Sequence, residues 1–134
     1  MRIVTLPILL LVLASFAHEA TTGDKVELGE EFKIKNGQEV VLRGEKIRVR
    51  FKSVREDSRC PTGVACVWAG NAKIGIEVAK KKTKQLVATL NTSLEPRQIE
   101  YKGFKIKLVA LTPYPNKEAR IDPKEYEAVL VVTK

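Results

Sequence analysis

The chain has 134 residues, 44% hydrophobic and 30% charged, with 24 Lys and Arg against 16 Asp and Glu, two Cys and a single His. That length and apolar content fit one folded domain with its own core and exclude a disordered chain. The surplus of +8 favours anionic surfaces and says nothing about fold, while one histidine leaves little for a zinc site or a Ser-His-Asp relay.

The chain opens "MRIVTLPILLLVLASFAHEATTGD", where Arg2 precedes an apolar run from Ile3 to Phe16 broken only by Thr5, Pro7 and Ser15. Ser15-Phe16-Ala17 then meets the small-x-small rule for cleavage. The run falls short of the roughly 20 residues that span a bilayer. The reading is a signal peptide over 1–17, export to the periplasm or beyond, and no transmembrane anchor. A single domain over 18–134 follows, with 18–24 expected as an unpacked tail. Cleavage after Ala17 would place His18 at the mature N-terminus, where amine and imidazole can take copper. A copper–oxygen brace needs a second histidine, so no metal is expected there.

Period-two alternation runs through the rest, and no long helical pattern appears. In "FKIKNGQEVVL" Phe32 and Ile34 alternate with Lys33 and Lys35, and Asn36-Gly37 marks a hairpin. In "KIRVRFKSV" Ile47, Val49 and Phe51 share one face, and Ser53-Val54 breaks parity as a bulge or the end of the strand would. "NAKIGIEVA" sets Ala72, Ile74, Ile76 and Val78 inward, and "KKKTK" turns into the strand "QLVATLNT". "QIEYKGFKIKLVAL" predicts Phe104, Ile106, Leu108 and Ala110 on the core side. "TPYPNKEARIDPKEY" reads as a long surface connection with one helical turn after Asp122-Pro123, and "YEAVLVVTK" as a last strand. The sum is an all-β protein, an antiparallel β-sandwich or barrel-like sandwich of about seven or eight strands. Lysines on the outer positions solvate those faces and discourage edge-to-edge pairing.

Both cysteines and the only tryptophan lie in "EDSRCPTGVACVWAGNA", residues 56–72. In an exported chain Cys60 and Cys66 are expected to pair as a structural disulfide. The spacing is wider than the Cys-x-x-Cys of thiol oxidoreductases, and two thiolates lack the further ligands zinc needs. Pro61 and Gly63 suit a tight turn. Asp57 is expected to accept backbone hydrogen bonds and pair with Arg59. Trp68 shares parity with Ala72 to Val78, which predicts an indole turned inward against the disulfide; the rival is an aromatic presented beside the loop. The candidate binding loop is therefore Asp57, Arg59, Pro61, Thr62, Gly63, Val64 and Trp68.

The run D-S-R-C-P, then four residues, then C-x-W-x-G resembles small exported bacterial proteins that share this motif. The resemblance covers about 16 residues. It implies a bacterial source and brings no activity, cofactor or ligand set with it. No phosphate-cradling glycine loop is present, and the acidic residues are scattered. No catalytic residue, cofactor or nucleic-acid partner is expected. The leading reading is a non-enzymatic module that binds an anionic envelope component or a protein. The alternatives are a secreted protease inhibitor presenting the Cys60–Cys66 loop and, last, an enzyme acting on envelope carbohydrate.

Overall fold

The computed structural model describes residues 23–134; the expected signal peptide, its cleavage site and His18 lie outside the described residues. Nine strands follow in order: β1 (Asp24–Val26), β2 (Glu31–Lys35), β3 (Glu39–Leu42), β4 (Ile47–Asp57), β5 (Ala72–Lys80), β6 (Leu86–Asn91), β7 (Gln98–Tyr101), β8 (Phe104–Thr112) and β9 (Glu127–Thr133). A 3₁₀ turn at Pro123–Glu125 precedes β9, capped by the Asp122 side chain, as the Asp-Pro pair foretold. One sheet runs β1-β3-β4-β5-β6 and the other β2-β9-β8-β7. The fold is the expected sandwich, and the sheets are not closed into a barrel. The strand beyond the expected seven or eight is β1, three residues pairing in parallel with β3.

Alternation accounts for the core. Ile47, Val49 and Phe51 of β4 and Ile74, Ile76 and Val78 of β5 are buried against Ile106 and Leu108 of β8 and Ala128, Leu130 and Val132 of β9. Burying one such aliphatic side chain stabilises by about 1.5–3 kcal/mol. The parity break at Ser53 is a true irregularity, with register shifts between Phe51 and Ser53 and again between Val54 and Glu56. A further shift between Leu108 and Ala110 corrects the inward set of β8: Leu111 is buried where Ala110 was expected. One extra residue reverses every side chain beyond it.

The Asn36-Gly37 turn forms, but its flanks are not a hairpin. β2 pairs with β9 and β3 with β4, so the turn carries the chain between sheets. The Asn36 N–H donates to the Tyr126 carbonyl of one sheet, and the Gly37 N–H to the Phe51 carbonyl of the other. Turn chemistry decides where a chain reverses; the partner of each strand is settled by non-local packing.

The turns collect at two ends. Residues 43–46, 81–85 and 102–103 share one, because Leu42 pairs Ile47 and the Tyr101 hydroxyl reaches Lys80 and Lys84. Residues 58–71, 92–97 and 113–126 share the other.

Candidate binding surface at the disulfide end

β4 delivers Asp57 to the edge of the sandwich, and the chain then turns back toward β5. The Arg59 side chain closes on Asp57 through Nε–Oδ1 at 2.8 Å and Nη2–Oδ2 at 2.7 Å. Its Nη1 and Nη2 also donate to the backbone carbonyls of Leu111 and Pro113, and its guanidinium lies 4.5 Å from the centre of the Tyr114 ring. Only 5% of Arg59 is exposed. A buried guanidinium is stable when its donors are answered, and here carboxylate and carbonyls take four of its five N–H groups. The Tyr126 hydroxyl donates to Asp57 Oδ2 at 2.9 Å. The expected Asp57–Arg59 pair is therefore present, and it also clamps β4 of one sheet to β8 of the other and to Tyr126, the residue before β9.

Burial alone would raise the Asp57 carboxyl, but hydrogen bonds from Arg59 and Tyr126 and the Arg59 charge outweigh it and hold its pKa below the usual value. Tyr126 is pushed up to about 12, by burial first and then by its bond to the Asp57 carboxylate. A cavity of about 480 Å³ opens beside this pair, lined also by Pro115, Asn116, Arg120 and Ile121. Near neutral pH its acid stays ionised and its phenol keeps its proton.

The next residues pin the return of the chain. The Ser58 N–H donates to the Asn71 carbonyl at 2.8 Å, and the Asn71 N–H to Ser58 Oγ at 3.1 Å. Gly70 sits between them at φ +67°, where a Cβ would stand 2.7 Å from Arg59 Cα. Only glycine fits there. The buried Asn71 side chain donates to Asn91 Oδ1 at 2.9 Å and accepts from the N–H groups of Ser93 and Leu94, which fastens segment 92–97 to the same end.

Cys60 and Cys66 are joined, with Cα atoms 5.9 Å apart. Inside the loop the Val64 N–H returns to the Pro61 carbonyl, and the Thr62 N–H donates to the Pro115 carbonyl at 2.9 Å. Pro61 is half-buried, whereas Thr62, Gly63, Val64 and Ala65 face solvent. Past the bridge, Val67 is 96% exposed and Trp68 63%. This overturns the inward indole. β5 begins only at Ala72, and the left-handed bend at Gly70 breaks the alternation on which the parity rested. Leu94 and Tyr114, both more than half exposed, complete an apolar rim on this end.

Of the sequence-derived residues, Asp57, Arg59 and the two cysteines build the support, and Val64 and Trp68 face outward. Tyr114, Tyr126, Leu94 and Asn71 belong to the site and were not foreseen. Among the described residues no group of three His, Cys, Asp or Glu is placed to hold a metal ion, and no helix is long and apolar enough to cross a membrane. Compared with protein-family models, with curated proteins and with solved structures, the chain matches none.

Proposed function

We propose that the protein is an exported, non-enzymatic binding module that docks onto a protein partner through the apolar rim of its disulfide end. One observation carries this reading. Within residues 57–72 almost every distinctive side chain has a structural duty, and the exception is the largest, Trp68, which is exposed together with Val67 and Val64. A rigid loop that shows its aromatic side chain binds with little ordering cost, and tryptophan is the residue type most enriched among interface hot spots. The rim is flanked by charges of both signs, Lys117, Arg120 and Lys124 beside Glu118, Asp122 and Glu125, so this contact should persist at high salt.

The inhibitor reading draws support from the exposure of Thr62 to Ala65. Against it, the loop is a closed turn whose Thr62 N–H is already taken by Pro115, which leaves it little extended backbone to lay along a protease cleft. The test compares envelope extracts passed over wild-type protein and over a Trp68→Ser variant in high salt. A protein retained by the first and lost from the second, with a blue shift of Trp68 emission on titration, supports the proposal. Equal retention by both would remove Trp68 from it.

A further inference from the structure

Among the described residues three that are not glycine adopt a left-handed backbone: Lys46 at φ 56°, Lys82 at 63° and Lys102 at 52°. All three are lysines, and all lie in turns at the end opposite the disulfide. Lys102-Gly103 is a two-residue loop between the paired Tyr101 and Phe104, a setting that prefers Asn or Asp beside Gly. Lys82 follows Lys81 in a turn closed by the Thr83 N–H on the Lys80 carbonyl, where Gly or Asn is the usual third residue. Left-handed lysine is disfavoured at each position. Local turn chemistry thus argues against these residues, and what they share is charge and place.

The same end carries exposed Lys81 and Lys84, and none of Lys46, Lys81, Lys82, Lys84 and Lys102 forms an ion pair among the described residues. Its acids Glu27 and Glu45 are answered by Arg43 and Lys134, and Glu30, Glu31 and Glu100 are the further exposed acids nearby. The turn bearing Lys81 to Lys84 is braced from the other sheet. The Tyr101 hydroxyl donates to the Lys84 carbonyl at 2.8 Å, accepts from the Lys80 N–H, and lies 2.9 Å from Thr83 Oγ1.

We propose that this lysine end is a docking surface for an anionic lipid bilayer. The cations stand on turns of both sheets, which lie roughly 10 Å apart, and so form a two-dimensional array rather than a line along a groove. A flat anionic surface engages such an array at once, and exposed Leu28 at the same end gives an apolar contact with the headgroup region. A linear polyanion would follow a cationic track instead. The proposal uses none of the residues of the disulfide end.

The test is co-sedimentation of residues 18–134 with vesicles. This segment contains the whole two-sheet domain and omits the apolar run Ile3 to Phe16, which would itself enter lipid. Binding is expected to vesicles of phosphatidylglycerol mixed into phosphatidylcholine, to be absent from pure phosphatidylcholine, and to be reversed by salt. The variant Lys46→Gly, Lys82→Gly, Lys102→Asn keeps or relaxes each backbone, so it should melt no lower than wild type and bind on the order of 100-fold more weakly. Removing equal charge elsewhere, with Lys35→Gln, Lys107→Gln and Lys117→Gln, should leave binding within about twofold. Equal losses in the two variants would reduce the effect to net charge and overturn the proposal. Retention on heparin without retention on anionic vesicles would overturn it too, in favour of a linear polyanion.

Discussion

Removing the Arg59 guanidinium would leave Asp57 buried with the Tyr126 phenol as its only side-chain donor. Breaking a buried pair from one side costs about 3–5 kcal/mol, so Arg59→Met is expected to lose that much in urea unfolding. Tyr126→Phe removes one hydrogen bond to a charge and should lose about 1.5–3 kcal/mol. The two ionisable groups also set opposite pH limits. Asp57 has a depressed folded pKa, so its contribution is present above the unfolded value of about 3.9 and is lost as pH falls through the folded value. Tyr126, raised to about 12, contributes fully below the unfolded value of about 10 and loses that contribution as pH climbs toward 12. Urea midpoints measured across pH should therefore fall more steeply in acid for wild type than for Asp57→Asn; parallel curves would remove the carboxylate from the account. The Asp57–Arg59 half of this cluster is legible in the sequence because the two residues are neighbours. Tyr126 is not, because 69 residues separate it from Asp57 and no local pattern marks the contact.

At the scale of elements, the disulfide loop is a brace on a segment that is already well held. Closing so short a loop stabilises by about 2.4 kcal/mol in the chain-entropy account. Cys60→Ser with Cys66→Ser should cost about that and still fold at low temperature, since the core lies between the sheets. An unchanged melting curve would mean that the Asp57–Arg59 and Ser58–Asn71 contacts hold the loop without it. Gly70→Ala is expected to be at least as damaging, because it meets both a left-handed backbone and the Ser58–Arg59 main chain. Strand existence and facing could be read from alternation wherever that alternation is unbroken, as in Ile47 to Phe51 and Ala72 to Val78. The reading failed where one residue changes the count, at Ala110 in β8 and between Trp68 and Ala72. It failed also where a turn was taken to name its own pairing, at Asn36-Gly37. Bulges and sheet crossings answer to packing across the sandwich, which the local pattern does not contain.

The whole molecule is bipolar: lysines at one end, and at the other an apolar rim with balanced charge. β4 and β5, at eleven and nine residues, hold these ends roughly 30 Å apart. At that distance, with no shared partner, substitutions at the two ends should add within about 0.3–0.5 kcal/mol in stability. The separation also yields a test of orientation, because the only tryptophan of the chain lies on the rim. Free protein should show the emission of a wet indole and be readily quenched by acrylamide, as 63% exposure of Trp68 requires. Protein seated on anionic vesicles by its lysine end should keep that emission and be quenched to the same extent, since Trp68 then points away from lipid. Acrylamide is the suitable quencher because it is uncharged and is not depleted near an anionic surface as iodide would be. A blue shift with protection on vesicle binding would mean that the aromatic end enters the headgroup region, where tryptophan is at home. That outcome would reverse the orientation and make the rim a lipid contact rather than a protein contact. Unchanged quenching, together with loss of vesicle binding in the Lys46, Lys82 and Lys102 variant, leaves the rim free for a second partner while the opposite end is held on the membrane.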